Sequence, residues 1–401
     1  LNAKEFFQQK RAEEEQTSGE IVELDARVYK HKRKKRRLIL TITIAAAAVI
    51  CCFWLVLSFQ SYTKYSEISS TPRTDENSGS YLSLGSYVVR YTNNGAVGMN
   101  SDQDELWQQS YEMDNPVTAV RGDTLAIADK GGNKVYVFSK KGALGNFSTQ
   151  LPIQSLSVSE QGVVEAIIHN DEQTRVVCYD NTGTILVDSR ASLNNTGYPL
   201  AAAISKDGKR MLVSYVSVGE TFSSRLVCYD FGTAGQSEEQ MKILDETCDD
   251  VLIPTVFFAD ENTAVAVGDK KMIFYRNSDT FSKKSEVAFS QQVKSVVWDD
   301  SGLALISKSS SSQNKYTLTS YNFSGKKKAS SDFSDEYTSA QMVNGKIILL
   351  NDTKCVIFSA GGRVVFRGEF DTTLNNVIPL KGINKYLVAR SDTVQTIRLI
   401  K

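Results

Sequence analysis

Two hydrophobic patterns divide this chain. Between Leu38 and Phe59 the residues LILTITIAAAAVICCFWLVLSF form an apolar run interrupted only by Thr41, Thr43 and Ser58. From about Tyr81 onward the apolar residues come instead in short segments, each closed by Gly, Asp or Asn. The first pattern predicts one long apolar helix and the second a succession of β-hairpins.

At roughly 1.5 Å per residue, a helix over residues 38–59 spans about 30 Å, the thickness of a bilayer's hydrocarbon. A core helix of a globular domain would carry a polar stripe, and this run has none. A secretory signal would end its apolar region at a small-residue cleavage site, whereas Ala45 to Ala48 lie inside the run. The expectation is an uncleaved signal anchor. Its Thr and Ser hydroxyls can bond to their own helix backbone and do not oppose insertion.

The hairpin region repeats. A first half joins two apolar segments through a polar turn, as in SVSEQGVVEAII at Ser157, AISKDGKRMLVSY at Ala203, FFADENTAVAVG at Phe257, VVWDDSGLALIS at Val296 and QMVNGKIILL at Gln341. A second half carries an aromatic-bearing strand, a turn and a last strand, as in KVYVFSKKGALGNF at Lys134, RVVCYDNTGTILVD at Arg175 and KCVIFSAGGRVVF at Lys354. Cycles begin near Val117, Ile153, Pro199, Leu252, Val293, Tyr337 and Asn376, a spacing of about 43 residues, which suits four strands per unit. A β-sandwich also recurs to turn signals, but has no reason to repeat a two-hairpin unit. The fold expected is all-β: a propeller of four-stranded blades over 81–401, with eight blades first and seven the alternative, preceded by one transmembrane helix. The two ends of the domain are expected to close on each other, the trailing strands at Tyr386 to Ile400 pairing with the leading segment at Tyr81 to Thr92.

Charge adds a direction. The formal net charge is zero, yet residues 1–37 hold eleven Lys or Arg against seven Asp or Glu. Lys30, Lys32, Arg33, Lys34, Lys35, Arg36 and Arg37 stand immediately before the apolar run, and Gln60 to Ser70 has only Lys64. The positive-inside rule then puts the N-terminus in the cytoplasm and everything after residue 60 outside the cell membrane. The same cluster can touch anionic lipid head groups. No aromatic residue is interleaved with these charges, so a nucleic-acid partner is not expected. Residues 1–37 read as a cytoplasmic basic tail, of which Leu1 to Tyr29 is polar, partly helical and expected to be disordered by itself, with Phe6 and Phe7 as its one aromatic pair. Residues 60–80, rich in Ser, Thr and Asn, read as a spacer before the propeller.

The chain has two histidines, His31 in the tail and His169 in a polar turn, which leaves little material for hydrolase triads or imidazole-rich zinc sites. Asp123, Asp207 and Asp300 fall in the repeated turns, where such side chains satisfy local backbone donors. No Gly-rich phosphate loop or calcium-loop run is present, and no catalytic residue, cofactor or metal is assigned. Cys178 and Cys228 occupy the same place in neighbouring repeats, in VVCYD and LVCYD, and read as buried apolar sites. Cys248 and Cys355 have no evident partner, and Cys51 and Cys52 lie in the apolar run.

The basic run, the single anchor and the segments SYVVRYTNNGAVGMNSDQDELWQQSYEMDNP, IADKGGNKVYVF, LPIQSLSVSEQGVV and GYPLAAAISKDGKRMLVSY resemble an uncharacterised family of Clostridia-type Firmicutes. The resemblance runs from the anchor to the C-terminus. It implies a cytoplasmic tail, one anchor and an extracytoplasmic β-propeller of unknown function, and it carries no catalytic residue. Glu105 to Trp107 also resembles the strand end of quinoprotein-type repeats, but occurs once. Two functions follow from these readings: a binding or scaffolding module for an envelope protein, peptide or cell-wall ligand, and, as the alternative, a carboxylate-based hydrolase or lyase with its site at the channel mouth.

Overall fold

The two-hairpin units fold as four-stranded antiparallel sheets, eight of them. The structure is a computed structural model, and it describes residues 35–52, 60–73, 79–192, 196–219, 221–232, 241–311 and 313–401. Blades 1 to 7 cover residues 80–110, 116–148, 153–191, 198–249, 255–288, 293–333 and 339–369, and within each the strands pair in chain order. Blade 8 takes three strands from 374–400 and its fourth, Lys64–Pro72, from the other end of the domain. This is the eight-bladed, all-β propeller that the repeat predicts.

Burial follows strand position. Second strands such as Thr124–Asp129 and Thr263–Val267 are buried throughout, because both their faces meet neighbouring blades. Fourth strands such as Ile185–Ala191 alternate between exposed and half-buried residues, as expected at a rim with one wet side. The first strands line the channel, where those of blades 2, 3, 4 and 5 lie side by side and those of blades 8 and 1 meet. The core is therefore a ring of inter-blade clusters. Ile167, Val176 and Cys178 of blade 3 pack on Met211 and Val227 of blade 4, and Val88 of blade 1 packs on Ile378 and Leu387 of blade 8. All described cysteines are free thiols; Cys178, Cys228, Cys248 and Cys355 are buried.

Closure differs from the sequence expectation in its partner. The last strand, Thr393–Ile400, pairs antiparallel with Lys64–Pro72, from Lys64↔Ile400 to Pro72↔Thr393, and not with residues 81–92. Part of the segment read as a spacer is thus a blade strand. Tyr62 is already buried, its amide donating to the Val365 carbonyl of blade 7 at 2.8 Å and its hydroxyl accepting from Asn384 Nδ2 at 2.8 Å. Tyr65 stacks on Phe370, with ring centroids 4.8 Å apart. The sequence hides this strand because KYSEISSTP is a rim strand, exposed at most positions, and so lacks the apolar alternation that marks the others.

Residues 35–52 form a helix with exposed side chains. Among the described residues no helix is long and apolar enough to cross a membrane. The predicted span runs on to Phe59, and residues 53–59 lie outside the described residues, as do the tail and Lys30, Lys32, Arg33 and Lys34. Lys35, Arg36 and Arg37 are exposed in the first turns of the helix.

Candidate binding site at the channel mouth

Because successive strands of a blade run in opposite directions, the turns after every first strand gather at one end of the channel. There they border a cavity of about 930 Å³, lined by turns of blades 1, 2, 3, 6 and 7. Neighbouring turns are bonded to each other. Thr124 Oγ1 donates to the Glu160 carbonyl at 2.8 Å, the Glu160 amide to the Lys206 carbonyl at 3.1 Å, and the Gly345 amide to Asp299 Oδ2 at 2.6 Å. Gly122, at φ 56°, lets the blade 2 turn approach Glu160 so closely that a Cβ would stand 2.4 Å from its Oε1. The wall of the cavity is fixed by contacts between blades as well as within them.

Arg121 crosses this space. It ends the first strand of blade 2, is 6% exposed, and reaches blade 5, where Nη2 donates to the Ala259 carbonyl at 3.0 Å. Its guanidinium lies 5.4 Å from the ring centre of Trp298 in blade 6 and 3.8 Å from Asp300. Trp298 is itself stacked on Phe257 of blade 5 at 4.3 Å. Burial pulls the Arg121 guanidinium below its ordinary pKa, and the carboxylates of Asp300, Glu160 and Asp260 oppose that shift. Its Nε–H has no partner among the described residues. Replacing Arg121 by Met keeps the bulk but leaves the Ala259 carbonyl without its donor. The expected cost is about 1.5–3 kcal/mol, read as a lower urea midpoint, with a secondary-structure spectrum unchanged below the transition.

The acids predicted in turns divide into different duties. Asp207 does bond its own turn, accepting from Ser205 Oγ at 2.7 Å and the Lys209 amide at 3.2 Å. Asp123 accepts instead from Lys140 at 2.7 Å. In the blade 6 turn the local acceptor is Asp299, which takes the Ser301 amide at 2.8 Å. Asp300 beside it is 62% exposed and faces Arg121. His169 ends the second strand of blade 3 and is exposed, away from the mouth. Among the described residues no group of three or more His, Cys, Asp or Glu is placed to hold a metal ion. Sequence reasoning missed Arg121 and Trp298, whose partners lie on blades far away in the chain.

Residues 58–399 match a family model described as Family of unknown function (DUF5711). The chain belongs to that family. No curated protein matches the sequence. The crystal structure of Saccharomyces cerevisiae Sqt1 is similar at 11% identity and a TM-score of 0.54, over 85% of this chain and all of that one. The crystal structure of BamB from Moraxella catarrhalis is similar at 14% identity and a TM-score of 0.51, over 84% of this chain and all of that one. Identities this low carry the propeller fold and nothing of its chemistry.

Proposed function

We propose that this DUF5711 chain is a membrane-anchored extracytoplasmic binding module, whose propeller docks a protein or peptide segment at the channel mouth. The observation that carries the reading is the cavity of about 930 Å³, a concave surface with walls held by inter-blade bonds and Arg121 spanning it. Such a site binds without reorganising, which lowers the cost of association. The carboxylates gathered there are engaged in holding the wall: Asp123 with Lys140, Glu160 with Lys206 at 3.3 Å, and Asp299 with two turns. That division of labour favours a binding surface over a hydrolase or lyase.

A photo-crosslinking side chain at Asn344, exposed at the mouth, is expected to capture a discrete partner in intact cells, while one at Val218 on the opposite end is not. Asp300→Lys should reduce the first capture. Equal capture at both positions, or none affected by Asp300→Lys, would overturn mouth docking.

The location rests on the apolar run and its basic flank. Protease added to intact protoplasts should digest the propeller and spare the tail. A protected propeller would place it inside. Replacing the basic residues from Lys30 to Arg37 by Gln should produce mixed orientation.

A further inference from the structure

The two ends of the propeller differ in a way the binding-site reading does not use. Strand direction assigns every residue to a face: the turns after first and third strands lie on the mouth face, and those after second and fourth strands on the other. The propeller has eleven exposed large hydrophobic side chains among its described residues; eight of them lie at or toward the mouth face, and Ile68 lies half-way along its strand. Val218 and Phe222, both in one hairpin of blade 4, are the exceptions.

The other nine are confined to one arc. Blade 8 contributes Ile383, which is 71% exposed, with Ile400 and Ile68. Leu106 follows on blade 1, Leu144 and Val120 on blade 2, Ile185 and Leu186 on blade 3, and Met241 at the edge of blade 4. Blades 5, 6 and 7 expose no large hydrophobic side chain among their described residues. The contrast is sharpest at a bulge that recurs near the start of the fourth strands. The residue passed over by the pairing register is Leu106, Leu144 and Leu186 in blades 1 to 3, but Lys284 and Lys328 in blades 5 and 6. In blade 7 it is Val365, whose carbonyl takes the Tyr62 amide and which is buried. A rim with nothing to cover it has no reason to keep leucines where other blades carry lysines.

The chain itself indicates what covers the arc. Lys64 pairs with Ile400, so the closing strand begins on the mouth face at blade 8, inside the apolar arc. Tyr62, held between blade 7 and blade 8 at the border of that arc, follows the apolar run 38–59 after two residues, Gln60 and Ser61. Exposed Lys64, Lys141 and Lys381 stand on the same face among the hydrophobic side chains, the mixture that interfacial lipid binding uses. We infer that the mouth-face arc of blades 8, 1, 2 and 3 rests on the lipid bilayer interface, so that the propeller lies against the membrane instead of standing off it. Blades 5 to 7, without such side chains, leave the approach to the cavity. This inference rests on the anchored location proposed above.

The test uses the full chain with Cys51→Ala and Cys52→Ala, which leaves only buried cysteines. It is reconstituted in vesicles of equal parts phosphatidylcholine and phosphatidylglycerol that carry a nitroxide lipid. A fluorophore is placed by Ile383→Cys, by Leu144→Cys, or by Val218→Cys on the opposite face. Flotation with the vesicles reads the anchor independently of the rim. With flotation intact, quenching of about twofold or more is expected at 383 and 144 and none at 218. Leu106→Ser with Leu186→Ser should lessen the quenching at 144 without releasing the protein. Flotation without quenching at 383 and 144, or equal quenching at all three, overturns the inference alone. A blue shift at 144 without quenching means that protein covers the arc, and overturns it too. Failure to float removes the anchor and this inference together.

Discussion

A chain shortened to begin at Gly79 should not fold as an independent, soluble propeller. It lacks Lys64–Pro72, and blade 8 is then left with Thr393–Ile400 as an open edge. Lost with the strand are its eight register pairs, the Tyr62 side chain from the cluster that holds Phe366, Phe370 and Tyr386, and the bond from Gln395 Nε2 to Glu67 at 2.7 Å. Arg73, which reaches the Arg390 and Gly79 carbonyls at 2.7 and 2.6 Å, goes as well. The expected loss is several kcal/mol of a folding free energy of about 5–15 kcal/mol, with aggregation through the unpaired edge. A chain beginning at Gln60 keeps all of these contacts and should unfold in one cooperative transition. Comparing urea midpoints and sedimentation of the two chains checks this. Equal midpoints would mean that blade 8 closes the ring without its fourth strand, and would count against this closure.

The periodic part of the fold was readable because each hairpin states itself locally. SKDGKR combines Gly208 at φ 72°, Asp207 and a flanking apolar segment within a few residues, and the same grammar recurs in every blade. Counting that grammar put eight blades first with seven as the alternative, and the structure has eight. Lys64–Pro72 did not register as a strand because it is itself polar and exposed at most positions. Closure depends on a pairing across more than 300 residues, for which nothing local selects a partner. The channel mouth was illegible for the same reason. Arg121 reads in PVTAVRGD as a strand-end cation before a turn, and its acceptor, Ala259, is 138 residues away. Glu165, a lone carboxylate inside the apolar segment VVEAII, was assigned no role from the sequence, and it carries the pH effect expected between about pH 5 and pH 8.

Stability should fall between pH 5 and pH 7 by about 3 kcal/mol on account of Glu165 alone. Glu165 lies in the second strand of blade 3 and is 1% exposed. Ser157 Oγ donates to its Oε2 at 2.8 Å, and the Ile204 amide of blade 4 donates in turn to Ser157 Oγ at 3.0 Å. Its register partner in the third strand is the buried Cys178, and its Oε1 has no partner among the described residues. Burial raises the carboxyl from 4.5 to about 8, with the Ser157 bond pulling weakly the other way. The native state therefore keeps a proton that the unfolded chain releases above about pH 4.5. Stability is full below that pH, declines by about 1.4 kcal/mol per pH unit, and levels off above about pH 8 after a total loss of up to about 5 kcal/mol. Glu165→Gln cannot ionise and should flatten this part of the profile while retaining an acceptor for Ser157. Urea midpoints of both proteins across pH 4 to 9 decide the matter: parallel curves would show that Glu165 is not the titrating group, and a wild-type curve that rises with pH would reverse the sign argued here.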